Sequence, residues 1–184
     1  MLRLRFAPAW FAVALIVMAQ AGCQSGGVRI LSSSMEPTLH CAKPGPGCES
    51  KTADYVRQVP DTTLERGDII AFKVSPHTPA KCGSPKGTVL IFVKRLIGLP
   101  GERWSISKGF VYINGRRLRE PYVPLGERDR FSLLGGRVPK GKYFVLGDNR
   151  IISCDSRIWG YVPQQNVIAH VVAIERGSRT INLR

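Results

Sequence analysis

The chain is short of histidine, of acidic residues and of recognisable helix, and each shortage excludes something. It holds 3 histidines in 184 residues, and His40, His77 and His170 stand in no motif. No G-x-S-x-G segment occurs, so a Ser-His-Asp hydrolase built on a nucleophile elbow is set aside. No CxxC pair occurs either, which argues against a zinc site even though His40 sits beside Cys41. Internal repeats and low-complexity tracts are missing. Asp and Glu number 13 against 27 Lys and Arg, a formal charge of +14. That excess points to an anionic partner. Zinc-finger spacing, an RNP-type aromatic stretch and a basic helix are all lacking, so nucleic acid is not expected. The headgroups of anionic membrane lipid are the expected partner instead.

What is present suits one domain plus appendages, and 43% hydrophobic residues suffice for a core. Arg3 and Arg5 precede an apolar run from Phe6 to Ala21. Pro8 falls in the first turn, where a helix tolerates it. The reading is a single transmembrane anchor over 6–22, a cytoplasmic tail over 1–5 and an extracytoplasmic body over 23–184. Two rivals stand beside it. Ala19-Gln20-Ala21 fits the end of a cleavable signal peptide, and Ala21-Gly22-Cys23 looks like a lipoprotein signal. All three send the body out of the cytoplasm. Five cysteines fit that oxidising compartment. Cys41 and Cys48 bracket a turn-rich loop and are expected to pair. Cys82 and Cys154 would then form a second bridge, leaving Cys23 at the membrane, although four cysteines allow three connectivities.

Short apolar runs between Gly/Pro turns predict strands at 28–31, 54–59, 69–74, 89–97, 104–107, 110–113, 143–146 and 167–174, and no amphipathic helix beyond the anchor. The fold class is therefore mainly β. A catalytic core is expected over about 28–104 and 143–184, with a small β insert over about 105–142. Arg116, Arg117, Arg119, Arg128, Arg130, Arg137, Lys140 and Lys142 crowd that insert, opposed only by Glu120, Glu127 and Asp129. They read either as a solvated surface or as a face lying on anionic lipid.

One residue breaks the apolar pattern. Lys94 lies inside Val89-Leu90-Ile91-Phe92-Val93-Lys94-Arg95-Leu96-Ile97-Gly98, and strand alternation places it with Leu90, Phe92 and Leu96. A buried lysine loses affinity for its proton. Such an amine can serve as a general base for a serine nucleophile. Ser34, in Ser32-Ser33-Ser34-Met35-Glu36-Pro37-Thr38, is the candidate serine.

The Ser34 segment is followed, in order, by Arg66-Gly67-Asp68-Ile69, Lys94 to Gly101, Gly147-Asp148-Asn149-Arg150, Asp155-Ser156-Arg157 and Trp159-Gly160. From Ser32 to Gly160 the chain resembles the type I signal peptidases, membrane-bound proteases with a Ser/Lys dyad. The resemblance implies Ser34 as nucleophile and Lys94 as base. It implies Ser32, with the Ser34 N–H, as the oxyanion hole, and Ser153 as the hydroxyl that orients the lysine. Asp155 and Arg157 would form a buried ion pair, and Asp148, Asn149 and Arg150 would support the site. By position, Ile30, Leu31, Met35, Leu39, Phe92 and Val93 would line the pocket for the residue before the cut, or else be ordinary core.

The activity implied is cleavage of exported proteins' signal peptides after small-x-small sites. It would run through an acyl-enzyme, without metal or other cofactor, in a monomer at the bacterial cell membrane. Two alternatives remain open: a maturation peptidase dedicated to one exported pilin or conjugation substrate, and a surface module that binds such segments without cutting them. The chain departs from the family pattern at Ser33, where glycine is frequent, and at Ile151-Ile152, where a polar pair is usual.

Overall fold

The computed structural model describes residues 27–45, 47–60, 63–74, 82 and 91–183. The expected anchor over 6–22, the cleavage and lipidation readings around Cys23, and Val89 and Leu90 lie outside them. Among the described residues no helix is long and apolar enough to cross a membrane.

The β-rich expectation holds. Strands β1 (Val28–Arg29), β2 (Tyr55–Val59), β3 (Ile69–Lys73), β4 (Ile91–Gly98), β9 (Lys142–Leu146), β10 (Val162–Pro163) and β11 (Val167–Arg176) form an antiparallel sheet in the order β1-β2-β11-β3-β4-β9-β10, with β12 (Arg179–Asn182) added to β11. A second sheet, in the order β7-β6-β5-β8, is built from β5 (Arg103–Ser107), β6 (Phe110–Ile113), β7 (Arg116–Arg117) and β8 (Leu133–Arg137). Its turns follow their residues: Lys108-Gly109 and Asn114-Gly115 all take positive φ, as tight hairpins require.

Five strands differ from the sequence reading. The strand expected over 28–31 is regular only over Val28–Arg29, although the Ile30 N–H still bonds the Asp54 carbonyl at 2.9 Å in the same register. Strands β7, β8, β10 and β12 were not expected. β8 reads Leu-Leu-Gly-Gly-Arg, and its Gly135 sits at φ +80 where the ladder to β5 shifts register. A Cβ there would meet the Trp104 carbonyl oxygen at 1.8 Å. The glycine that masks the strand in sequence is thus what lets it bulge against β5.

β3 and β4 are covered on both faces. Ile69 packs with Ile30, Met35, Leu39, Val56 and Val171 on one side. Ile70, Phe72 and Leu96 pack with Val145 and Val162 on the other. A third cluster joins the two sheets through Ile106, Val111 and Ile113 against Phe144 and Leu146, with Trp104 stacked on Phe144 at 4.0 Å between centroids. Burying each such side chain contributes roughly 1.5–3 kcal/mol.

Candidate active site

Ser34 occupies a single 3-10 turn, Ser33–Met35. The turn is pinned by its neighbours: Met35 and Leu39 are sunk in the core, while Ser34 is half-buried. The following loop is closed by the Cys41–Cys48 disulfide. Glu36 accepts hydrogen bonds from the Cys41 N–H at 3.0 Å and faces His40 Nδ1 at 2.5 Å. His40 is therefore occupied with a carboxylate and Cys41 with another cysteine. The second expected disulfide, Cys82–Cys154, is also formed.

Lys94 reaches the same point from β4. In the β3–β4 ladder it lies opposite Ile70, with Phe72 opposite Phe92 two residues on. Lys94 shares its face with these apolar groups and is 4% exposed. Its Nζ donates to Ser34 Oγ at 2.6 Å and to the Val93 carbonyl at 3.2 Å. Burial lowers its pKa from 10.5 to about 8, against the opposing pull of Asp155 and Asp148. Ser32 Oγ lies 3.2 Å from Ser34 Oγ, so the three side chains touch in series.

The loop after β9 closes the site from behind. A Cβ on Gly147 would fall 2.2 Å from Ser153 Oγ and 2.3 Å from the Ser34 carbonyl oxygen. Only glycine allows this approach. The Asn149 N–H then bonds the Ser34 carbonyl at 3.2 Å. Asp148, fully buried, accepts from Arg95 Nε at 2.8 Å, Arg95 Nη2 at 2.6 Å and Thr38 Oγ1 at 2.6 Å. Asp155 accepts from the Gly147 N–H at 3.0 Å and takes a fork from Arg157 Nε and Nη2, each at 2.8 Å. It also caps the short helix α1 (Ser156–Trp159) through the Arg157 N–H. Arg150 donates to the Gly147 carbonyl at 2.9 Å and to Glu120 at 2.5 Å.

Ser153 and the six expected pocket residues are placed as follows. Ser153 is buried beside the dyad, but its Oγ has no hydrogen-bond partner among the described residues, so it does not bond Lys94 here. The six expected pocket residues do not share one wall. Ile30, Met35 and Leu39 belong to the core on one face of the sheet, with Val93 packed against it. Phe92, next along β4, faces the other way and packs near Phe72 at 6.4 Å. Leu31 is 76% exposed.

Sequence reasoning missed Arg95, Thr38, Glu120 and Asp129 as members of the site. Arg95 was visible only as a second cation in an apolar strand. Glu120 and Asp129 stood out only as rare acids in a basic stretch. That stretch divides in the structure: Arg128 is tied to Glu120 at 3.0 Å and to the Gly109 carbonyl at 2.9 Å, while Arg116, Arg117, Arg119, Arg130 and Arg137 are exposed.

A lysine held on a serine hydroxyl, with a glycine-dependent loop behind it, is what the comparisons with known proteins bear on. The family model described as signal peptidase, peptidase S26, matches residues 3–175. The chain belongs to the signal peptidase family. It is 39% identical over 125 residues to the probable signal peptidase I-1 of Synechocystis sp. (strain ATCC 27184 / PCC 6803 / Kazusa), covering 60% of this chain and 63% of that protein. It is 38% identical over 133 residues to the signal peptidase I T of Bacillus subtilis (strain 168), covering 68% of this chain and 60% of the relative. It is also similar to the crystal structure of a signal peptidase I from Enterococcus faecalis V583, with a TM-score of 0.45 and 39% identity over 58% of this chain and 94% of that one. The chain spans less than two thirds of the length of these two signal peptidase relatives from Synechocystis and Bacillus.

Proposed function

We propose that the chain is a membrane-anchored serine endopeptidase that removes signal peptides from exported proteins after small-x-small sites. The observation that carries this reading is the 2.6 Å hydrogen bond from the Lys94 amine to the Ser34 hydroxyl in a water-poor setting.

The mechanism follows from that geometry. Neutral Lys94 takes the Ser34 proton as Oγ attacks the scissile carbonyl carbon. The carbonyl π bond opens, and the negative charge on its oxygen is met by the Ser34 N–H and the Ser32 hydroxyl. Ser32 rests on Ser34 Oγ at 3.2 Å before attack and turns toward the oxyanion during it. Lys94 then gives its proton to the departing amine, the C–N bond breaks and an ester to Ser34 remains. A water deprotonated by Lys94 attacks the ester and restores Ser34. Ser153 Oγ, buried with no hydrogen-bond partner among the described residues, would turn to the lysine once its proton is gone. Desolvation supplies the base: a lysine at its ordinary pKa would be neutral in well under 1% of molecules at pH 7.

The anchor over 6–22 would hold the body on the outer side of the bacterial membrane, with residues 1–5 in the cytoplasm. The substrates are signal peptides, and the exposed arginines of the second sheet would rest on anionic lipid. Incubating the full chain in detergent micelles with several purified secretory precursors, and reading the new N-termini by mass spectrometry, tests the proposal. Cuts after small-x-small sites in several precursors support it. A cut in one precursor only would give the dedicated-peptidase reading, and no cut in any would overturn peptidase function.

A further inference from the structure

Loop 147–157 carries Ser153 and Asp155, yet much of what fixes it comes from the second sheet. Asp129 is buried in the segment between β7 and β8. One of its oxygens accepts the Phe131 N–H at 3.0 Å and the other accepts Arg157 Nη1. The opposite edge of the same guanidinium is forked on Asp155, and its Nη2 also reaches the Ser153 carbonyl at 3.3 Å. Arg157 is thus held between two carboxylates from different parts of the fold. The hairpin tip of β5 and β6 sets where Asp129 stands. The Gly109 N–H bonds the Phe131 carbonyl at 2.9 Å, and a Cβ on Gly109 would fall 1.9 Å from the Asp129 carbonyl oxygen. A second tie runs in parallel: Glu120 joins Arg128 to Arg150, and the Arg150 N–H bonds the Glu127 carbonyl at 3.0 Å.

We propose that Asp129 is a positioning residue for the Ser34/Lys94 dyad, acting through Arg157 on Asp155 and Ser153, so that the second sheet works as the clamp of the catalytic loop. This rests on the peptidase reading for its rate effects but not for its electrostatic one. The charged groups that act on Lys94 are Asp155, Asp148 and Arg157, with Arg95 neutralising Asp148. Arg157 disfavours the protonated lysine. Asp129 offsets that cation from its far side. Removing the Asp129 charge should therefore lower the Lys94 pKa, and loosening Arg157 should let Ser153 and Asp155 drift from the dyad. A misplacement of about 1 Å in such a site can cost around 10²-fold in rate.

The test compares full-chain wild type, Asp129→Asn and Asp129→Glu on one precursor across pH. The Asn variant is expected to lose at least about tenfold in kcat with KM within about twofold, and its acid limb should move to lower pH. The Glu variant, which keeps the charge, should keep the wild-type midpoint and recover most of the rate. Competitive labelling of the Lys94 amine in a Ser34→Ala background reads the same pKa change without any peptidase activity. A fall there together with no turnover by wild type would overturn the peptidase reading and leave the electrostatic clamp standing. Wild-type kcat and midpoint in Asp129→Asn would overturn the proposal. So would a Glu variant no better than Asn. If Asp129→Asn melts below the assay temperature, Arg157→Lys takes its place, since an ammonium cannot fork Asp155 and reach Asp129 together. Wild-type kcat and midpoint in that variant would equally overturn the clamp.

Discussion

Lys94 and Ser34, 60 residues apart in sequence, meet at 2.6 Å because a central strand and a core-anchored 3-10 turn converge on the same point. Among the described residues the lysine makes no direct carboxylate bond; its near contacts are a hydroxyl, a backbone carbonyl and the ring of Phe92 at 5.3 Å. That setting makes the amine a base and also makes its protonated form costly.

The pH dependence of activity follows. With Lys94 at about 8, kcat/KM should rise about tenfold per pH unit below that value and level off above it. Lys94→Arg should be inactive throughout, because a guanidinium keeps its proton at these pH values. A pH–rate profile of the free enzyme measures both; a profile flat from pH 6 to 9 would contradict the assignment of the base.

Stability should carry the same signature with a definite sign. The folded pKa lies below the unfolded value, so the unfolded chain binds more protons between about 8 and 10.5. The penalty of Lys94 is full below pH 8 and disappears as pH rises through 10.5, so wild-type stability should climb across that window. The total is roughly 3 kcal/mol at about 1.4 kcal/mol per pKa unit. Lys94→Met should remove the climb and be the more stable protein at pH 7. Urea unfolding of both proteins at several pH values reads the difference.

Asp148 is fully buried and takes two bonds from Arg95. Arg95→Ala would strand that carboxylate and should destabilise the fold by about 3–5 kcal/mol. Arg95→Lys should recover only part, since a lysine cannot make the paired bonds. Thermal melts of the two variants rank the effects, and equal melting of Arg95→Ala and wild type would be contradictory.

Gly147 gives a purely steric prediction. A methyl group there would collide with Ser153 and the Ser34 carbonyl. Gly147→Ala should lower kcat about 10²-fold with a smaller change in KM, as a single-precursor kinetic series would show.

Reduction should act on the nucleophile loop. Opening Cys41–Cys48 removes a short cross-link worth about 2–3 kcal/mol. The double variant Cys41→Ala/Cys48→Ala, which keeps Cys82–Cys154, should lose about that much stability against oxidised wild type when both are unfolded in urea.

Much of this was legible in the chain. Lys94 announced itself as a cation in an apolar strand, and the Lys108-Gly109 and Asn114-Gly115 pairs marked tight turns where the structure has them. Strand β8 was hidden because its bulge requires the glycines that read as loop. Sequence proximity to Ser34 put Met35 and Leu39 beside the site, while packing turned both into the core that anchors it. Asp129 and Glu120 were beyond reach, since nothing local says that an acid in a basic loop is buried against an arginine some thirty residues on. Ile151 and Ile152 remain half-exposed or more in the structure, and nothing in it explains why two isoleucines stand there.

The most direct test of the central claim is a time course of precursor cleavage above pH 8 by folded wild type, Ser34→Ala and Lys94→Met. The account predicts a cut by wild type alone, with both variants binding the precursor but leaving it whole. Cleavage that survives Ser34→Ala would contradict it.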